Sequence, residues 1–244
     1  MIYKRWCPLR NTFFIIIVIW ILSGVAWRIH YINVAHEYIH WEEQQHTFGV
    51  GSNPYELYID LSEYRLYLIK NKEIYKKYSV AGGKQETPSP FGVWKIIEKS
   101  DWGEWYGGSW LGLNIPWGTY GIHGTLRPGS IGRSASHGCI RMFNRQVKEL
   151  FDIVPVGTPV VITNGPFSPF GTNPRTIIPG DRGSDVMHIQ MILRKKGLYK
   201  GTIDGIYGDG MKEAVFSIQK RIGIAPHNEI DIETLHGMGI FIFE

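Results

Sequence analysis

The sequence predicts a mainly β domain of the sandwich or barrel type, followed by a small helical domain and preceded by an apolar helix. From residue 54 onward, short segments of alternating apolar residues are separated by glycine and proline, which is typical of sandwiches and barrels. After a proline-rich stretch at 164–178, apolar residues recur at helical spacing instead. Residues 13–22 are uniformly apolar, and the 244 residues leave room for more than one domain.

The apolar run at the N-terminus predicts a secretory signal or a membrane anchor that covers residues 12–27. Lys4, Arg5 and Arg10 precede the run, so its start is expected on the cytoplasmic side. The run is short for a spanning helix, and Gly24-Val25-Ala26 would suit a cleavage site. We predict a retained anchor within a segment 1–27, and both alternatives place the rest of the chain outside the cytoplasm.

The charge balance argues against nucleic acid as a partner. The chain has 26 basic and 22 acidic residues, and the three basic residues before the apolar run account for most of the excess. The remaining sequence therefore lacks the concentrated basic surface that nucleic-acid binding requires.

Residues 28–53 predict a polar juxtamembrane stalk that contains a metal-like pattern. His36-Glu37-Tyr38-Ile39-His40 fits the His-Glu-x-x-His arrangement, in which two histidines share one helix face and bind zinc. A working zinc site also needs a third ligand and an enclosed cavity. We interpret the segment as a solvated spacer and expect no metal cofactor.

The β domain is predicted from residue 54 to residue 163. Leu57, Ile59 and Leu61 alternate as in a half-buried strand, and further strands are predicted at 65–69, 75–80, 93–97 and 160–162. Residues 144–151 have a helical pattern. The aromatic-rich stretch 102–120 predicts either core packing or a cleft wall that stacks on sugars. Residues 125–135 predict either a mobile lid or an ordinary surface loop.

Cys139 is the candidate nucleophile. His137 lies two residues before it, on the same face if the segment is extended, and His123 lies a short loop upstream. A thiol beside imidazoles can be activated for attack, and the amides of Gly138 and Cys139 could face an oxyanion. Cys7 lies before the apolar run, so an exported Cys139 has no partner for a disulfide. A buried structural cysteine and a zinc ligand set of the same residues remain alternatives.

Residues 54–163 resemble the L,D-transpeptidase (YkuD) catalytic domain. The residues that carry the resemblance are His123-Gly124, Ser136-His137-Gly138-Cys139-Ile140-Arg141, Ala81-Gly82-Gly83-Lys84 and Thr87-Pro88-Ser89-Pro90-Phe91-Gly92. The resemblance implies a β-sandwich, Cys139 as the acyl-accepting nucleophile and His123 as the proton acceptor and donor. It further implies that His137 helps to polarise the carbonyl. Arg141, with Ser136 and Gly124, is expected to bind substrate.

Residues 179–244 resemble a three-helix peptidoglycan-binding domain. The matching residues are Gly183, Asp185-Val186, Gln190, Leu193, Gly197, Asp204-Gly205, Gly208, Ala214-Val215, Gln219 and Thr234. A helix is predicted to begin with Ser184 or Asp185 as its N-cap. Residues 164–178 are predicted to be a semi-rigid linker. The alternative is a helical module with another partner.

Together these features predict an exported enzyme that acts on peptidoglycan stem peptides and binds the glycan wall. The resemblance implies a 3→3 cross-linking transpeptidase without a cofactor. Water in place of the acceptor amine would make the same acyl-enzyme an L,D-carboxypeptidase. A zinc-dependent wall peptidase and a non-catalytic wall-binding protein are the other classes that the residues leave open.

Overall fold

A computed structural model of the chain describes residues 53–103, 107–165, 168–171 and 173–240. The predicted anchor at 12–27 and the stalk with His36 and His40 lie outside these residues. Within the described ranges, no helix combines the length and the apolar character needed to cross a membrane.

The β domain is built around one eight-stranded mixed sheet in the order β3-β2-β1-β10-β5-β6-β7-β9, and a separate parallel pair joins β4 to β8. Its strands are β1 (Tyr55–Asp60), β2 (Arg65–Lys70), β3 (Glu73–Ser79), β4 (Gly82–Gly83), β5 (Gly92–Asp101), β6 (Ser109–Leu113), β7 (Tyr120–Gly124), β8 (Ser134–Ser136), β9 (Ile140–Met142) and β10 (Pro159–Thr163).

The long strand β5 connects the two halves of the sheet, which the sequence predicts as a sandwich or barrel. Its first half pairs with β10, its second half pairs with β6, and the register shifts between Ile96 and Glu98. Such a bulge bends a strand and increases its local twist. The two halves of the sheet are thus continuous through β5, and buried residues from both halves, such as Leu57 and Ile122, belong to one apolar core.

The sequence predicts the first strands better than the central ones. Leu57 and Ile59 are buried on β1, as their alternation predicts, and β2, β3 and β10 lie where they are expected. Strands β6 and β7 were not predicted. All five residues of β6 are buried, so the apolar–polar alternation that marks a half-exposed strand is missing there.

Helix α1 (Asn144–Ile153) confirms the predicted helical segment and supports the central strands. It packs against β6 and β7, and Val147 and Leu150 are its buried residues. The helix begins two residues after β9 and packs against β7, the strand that carries His123.

The C-terminal region contains the expected three helices, α2 (Ser184–Lys195), α3 (Asp209–Arg221) and α4 (Ile232–Met238). The predicted N-cap of α2 is wrong, because Gly183 occupies that position and Ser184 is the first helical residue. Asp185 instead accepts a 2.8 Å hydrogen bond from Arg175. Ile177 is buried in the core of the helical region, so the end of the predicted linker belongs to that core.

The helical region is in contact with the β domain at Trp117. Met187 and Ile206 pack against the β-domain core, and Trp117 is only 8% exposed. A Cβ atom on Gly205 would lie 2.4 Å from Cε3 of Trp117, so only glycine allows this close approach. The two regions are therefore packed together as well as joined by the chain.

Candidate active site

Strands β7 and β9 bring the predicted nucleophile and base together. The strands are parallel, and His123 on β7 stands opposite Arg141 on β9. Cys139 immediately precedes β9, and the backbone of Gly121 on β7 forms a hydrogen bond with its thiol. Cys139 therefore contacts β7 two residues away from the position of His123 on the same strand.

Gly121 was not identified from the sequence, although it forms part of the nucleophile's environment. A Cβ atom at this position would lie 2.5 Å from Cη2 of Trp110, so the tryptophan ring presses directly on the Gly121 backbone. A side chain there would displace either the ring or the strand. The only available signal was the glycine two residues before His123, which is weak in a glycine-rich segment.

The tautomer of His123 follows from its main-chain contact. Its Nδ1 atom lies 2.6 Å from the carbonyl oxygen of Gly124. Because a carbonyl oxygen can only accept, Nδ1 carries the proton and donates it. The other ring nitrogen, Nε2, is then unprotonated and can accept a proton from a thiol, which is the state that a general base requires.

Burial favours neutral forms of both groups. It lowers the pKa of His123 below its ordinary value; the hydrogen bond to the Gly124 carbonyl acts in the opposite direction, and the nearby Arg141 guanidinium adds to the lowering. Burial also raises the pKa of the Cys139 thiol, while the Gly121 hydrogen bond and the Arg141 charge act in the opposite direction. Burial therefore favours a neutral thiol at Cys139 and a neutral imidazole at His123.

The loop before the nucleophile is held by the Ser136 hydroxyl. This hydroxyl donates to the carbonyl oxygen of Cys139 at 2.6 Å and accepts from the Gly138 N–H at 3.0 Å. Ser136 itself is 1% exposed. The structure therefore gives Ser136 a role in shaping the loop, where the sequence predicted a contact with substrate.

Gly138 also departs from its predicted role as an oxyanion donor. Its N–H is engaged by Ser136, which leaves the Cys139 N–H as the remaining member of the predicted pair. Gly138 has a φ of 117°, and a Cβ atom there would lie 2.6 Å from the Tyr120 ring. Glycine is needed at this position for both its conformation and its lack of a side chain.

His137 is more exposed than His123 and Cys139. His137 and Cys139 share a face only in an extended segment, and the left-handed conformation of Gly138 interrupts the extension. His137 is exposed, whereas Cys139 is half-buried. His137 can thus meet a substrate that enters from solvent, and His123 is the histidine within the site.

Gly124 is buried and has no room for a side chain. A Cβ atom there would lie 1.9 Å from the carbonyl oxygen of Gly107. Its own carbonyl oxygen accepts from His123, so Gly124 orients the base where the sequence predicted a substrate contact. Arg141 is half-buried, and its guanidinium donates to the Ala135 carbonyl at 3.2 Å, which leaves further donors for an anionic group.

An aromatic stack borders His123 on the side opposite β9. Trp110 on β6 stands across from His123, with ring centroids 5.7 Å apart. Its indole N–H donates to Glu98 at 2.7 Å, and its ring stacks on Trp102 at 4.4 Å. Trp110 is buried, as the core-packing alternative predicts, whereas Trp102 is 44% exposed. Residues 104–106 of that stretch lie outside the described ranges.

The loop that was predicted as a lid or a surface loop is partly structured. Residues Pro128–Ser130 form a 3-10 turn, and β8 follows at Ser134–Ser136. The Gly82 N–H donates to the Arg133 carbonyl, and the Lys84 N–H donates to the Ser136 carbonyl. These two hydrogen bonds attach the end of the loop and strand β8, which leads to Cys139, to the segment that contains Gly82 and Lys84.

The described residues contain no group of three or more histidine, cysteine, aspartate or glutamate side chains that could hold a metal ion. The His-Glu-x-x-His pattern at His36 and His40 lies outside them.

Comparison with known protein families matches residues 54–162 to the L,D-transpeptidase catalytic domain, YkuD, and residues 182–236 to a peptidoglycan-binding domain. The chain is 43% identical over 111 residues to YkuD of Bacillus licheniformis, which is named as an L,D-transpeptidase. It is also 43% identical over 110 residues to YkuD of Bacillus subtilis, named in the same way. Each alignment covers 45% of this chain and 66% of the relative.

Among solved structures, an L,D-transpeptidase from Enterococcus faecium superposes with a TM-score of 0.41 at 25% identity, covering 45% of this chain and 50% of that one. The sequence comparisons agree with the motifs that surround His123 and Cys139. Residues 54–162 of this chain therefore belong to the L,D-transpeptidase (YkuD) catalytic domain family, and a peptidoglycan-binding domain follows at residues 182–236.

Proposed function

We propose that this chain is an exported cysteine transpeptidase that joins peptidoglycan stem peptides through an acyl-enzyme on Cys139. The observation that carries the proposal is the juxtaposition on β7 and β9. Cys139 contacts the Gly121 backbone, and His123, two residues farther along β7, has an unprotonated Nε2. Covalent acyl transfer requires a nucleophile and a nearby base that can accept its proton.

In the first half-reaction, the sulfur of Cys139 attacks the carbonyl carbon between the penultimate meso-diaminopimelate and the terminal D-alanine of a tetrapeptide donor. His123 takes the thiol proton as the carbon–sulfur bond forms. When the carbon–nitrogen bond breaks, His123 returns that proton to the departing amine. A thioester on Cys139 and free D-alanine result.

In the second half-reaction, the side-chain amine of an acceptor stem attacks the thioester and forms a 3→3 cross-link. His123 accepts the amine proton and passes it to the departing sulfur, which restores the thiol. If water attacks instead, the product is a tripeptide and the reaction is that of an L,D-carboxypeptidase. The competition between amine and water decides between the two activities.

The surrounding groups supply binding and charge stabilisation. The Cys139 N–H is the proposed donor to the tetrahedral oxyanion, with exposed His137 approaching from solvent; one such donor is worth about 3 kcal/mol. Arg141 is proposed to bind a donor carboxylate, since its guanidinium contacts the Ala135 carbonyl and still has free donors. Ser136 and Gly124 act by holding the loop and the base in place.

The flanking segments are proposed to keep the enzyme at the wall. The helical domain at 179–244 would bind glycan strands, residues 164–178 would connect it, and residues 12–27 would anchor the chain in the cytoplasmic membrane, with 28–53 as a stalk. N-terminal sequencing of the mature protein from cells tests the anchor: a first residue of Met1 or Ile2 is expected. A start near Trp27 would show that a signal peptide is removed.

The enzyme activity is tested by incubating the purified protein with tetrapeptide muropeptides and identifying the products by mass spectrometry. We expect 3→3 dimers and released D-alanine, abolished by iodoacetamide and unaffected by EDTA. Tripeptides without dimers would assign the protein as an L,D-carboxypeptidase. Sensitivity to EDTA with resistance to iodoacetamide would contradict the cysteine mechanism and favour zinc chemistry.

A further inference from the structure

The two strands beside β7 give His123 chemically different neighbours. On β9 its partner in register is Arg141, and on β6 its partner in register is Trp110. Side chains directly opposite each other on adjacent strands lie close enough to interact. A substrate that approaches His123 therefore meets a cation on one side and an aromatic surface on the other.

The Arg141 side suits a carboxylate and repels an ammonium group. Its charge is close enough to influence both Cys139 and His123. An amine that arrives as a cation would be repelled there, whereas the carboxylate of a donor peptide would be attracted. The acceptor amine must nevertheless reach His123, so it needs an approach from the opposite side.

The tryptophan side offers such an approach. The rings of Trp102 and Trp110 are nearly parallel, with an interplanar angle of 17° and centroids 4.4 Å apart. Trp110 is buried and covers one face of Trp102, while 44% of Trp102 remains exposed. The Trp102 ring centroid lies 6.2 Å from that of His123, so the ring borders the base.

The position of Trp102 is fixed by the surrounding structure. Its backbone N–H donates to the Gly108 carbonyl at 2.9 Å, at the neck of the hairpin that joins β5 to β6. The underlying Trp110 is held by its hydrogen bond to Glu98. An exposed aromatic ring that is already ordered can bind a ligand without a large loss of side-chain entropy.

We propose that Trp102 is an acceptor-binding residue that holds the alkylammonium side chain of the amine substrate beside His123. This assignment rests on the proposed function and adds to it the side from which the acceptor enters. The face of an indole ring attracts cations, and its carbon surface packs against the methylene groups of an aliphatic amine. Water gains nothing from such a surface.

Trp102 is expected to affect only the second half-reaction, in which the acceptor amine attacks the thioester. The acceptor ammonium first loses a proton to solvent to become the free amine, and its nitrogen forms the amide bond as the bond between the acyl carbon and the Cys139 sulfur breaks. His123 receives the proton of the attacking amine and passes it to the sulfur. Trp102 takes no part in the first half-reaction, whose leaving group departs before the acceptor is needed.

The test is the partition of the acyl-enzyme between amine and water. Wild type and Trp102→Ala are incubated with a tetrapeptide donor and a series of acceptor concentrations below saturation, and amide and tripeptide products are quantified. We expect Trp102→Ala to lower the amide-to-tripeptide ratio about fivefold. Formation of the acyl adduct on Cys139, followed by intact mass, is expected to stay within about twofold of wild type.

Two variants control for loss of structure. Trp102→Phe keeps a ring on Trp110 and is expected to retain at least about half of the wild-type ratio. Tyr75→Ala removes a 51% exposed aromatic from β3 at the far edge of the sheet and is expected to leave the ratio unchanged.

The outcomes separate this inference from the proposed function. An unchanged ratio in Trp102→Ala, or a loss of adduct formation equal to the loss of amide product, would overturn the acceptor assignment while the cysteine mechanism stands. If unaltered protein forms no adduct on Cys139, the proposed function fails first and the assignment falls with it.

Discussion

The two folded regions use buried polar groups in opposite ways. In the β domain, burial leaves a neutral thiol at Cys139 and an unprotonated Nε2 at His123, both available for reaction. In the helical region, Gln190 and Gln219 are fully buried and their amides are saturated with hydrogen bonds. Gln190 accepts from the N–H groups of Asp204 and Gly205 and donates to the Ile206 carbonyl.

Gln219 repeats this arrangement one helix later. It accepts from the His227 N–H at 2.9 Å and donates to the Glu229 carbonyl at 3.0 Å, so each glutamine fastens the loop that follows its helix. Buried polar groups without partners are costly, and the two glutamines avoid that cost through these hydrogen bonds. The comparison teaches that a buried polar residue indicates chemistry only when part of its hydrogen-bonding capacity is left open.

The largest expected effect is that of Cys139→Ser. We expect activity on muropeptides to fall below about 5% of wild type, because a serine hydroxyl is a far weaker nucleophile at neutral pH than a thiolate. The change in size is small, so the thermal unfolding midpoint should stay within about 2 °C of wild type. Residual activity well above that level in a folded variant would contradict the thiol mechanism.

His123→Ala is expected to reduce activity by about 10²- to 10⁴-fold, the usual contribution of a general base. In wild type, the pKa of His123 is lowered from 6.5 by burial, so activity should persist on the acid side of that value until the imidazole becomes protonated. Without the imidazole, the pKa of Cys139 should rise, and the rate of iodoacetamide labelling should shift to higher pH. An identical labelling profile would move the role of base to exposed His137.

The site shows how far motifs alone can carry a prediction. The spacing of His123, His137 and Cys139 predicts a nucleophile and a base, because their chemistry depends on residue type. It could not show that Gly138 turns His137 away or that Ser136 occupies the Gly138 amide, since both depend on backbone angles. Trp102 and Trp110 were noted only as aromatics, because no sequence spacing reveals which of two tryptophans is covered by the other.

The fold also has features that residue type and spacing do not predict. Alternation at Leu57 and Ile59 predicted β1, whereas β6 has no exposed residue to produce alternation. The N-cap of α2 was assigned to Ser184 or Asp185 on side-chain type, but Gly183 takes that position and Asp185 pairs with Arg175 instead. Competition between two possible partners for one side chain is decided by tertiary structure.

Gln190→Ala tests whether the hydrogen bonds of this buried glutamine stabilise the helical region. It leaves the N–H groups of Asp204 and Gly205 without their acceptor, so the free energy of unfolding of the helical region should fall by about 2–4 kcal/mol. Gln146→Ala on α1 is the matched control, because the buried Gln146 Oε1 has no hydrogen-bond partner in the described part of the chain. We expect the control to cost less than about 1 kcal/mol.

Denaturant unfolding of both glutamine variants, monitored by far-UV circular dichroism, provides the measurement. Activity on soluble muropeptides should be unchanged in Gln190→Ala at temperatures at which it is folded. Equal destabilisation by the two variants would show that saturation of hydrogen bonds is not what distinguishes Gln190.

The smallest expected effect is that of removing the helical region. The truncation should begin at Ile177, since its buried side chain belongs to the helical core. We expect turnover of soluble muropeptides to stay within about twofold of wild type, because no residue of the site lies beyond β10. Retention on purified sacculi should weaken, and exposure of Trp117 should lower the midpoint of thermal unfolding by about 5 °C.

Sacculus pull-down and calorimetry of the full-length and truncated proteins measure these two effects. Equal retention would contradict a wall-binding role for the helical region. An unchanged unfolding midpoint would show that the contact between Trp117 and Gly205 contributes little to stability.

The central claim is that Cys139 carries the acyl group, and intact-mass spectrometry of the protein during turnover tests it most directly. After mixing with a tetrapeptide muropeptide whose side-chain amine is acetylated, so that it cannot act as acceptor, a species heavier by the donor less its terminal D-alanine should appear and map to the peptide containing Cys139. It should decay when acceptor amine is added. An adduct at another residue, or product formation with no adduct at any reaction time, would contradict the account.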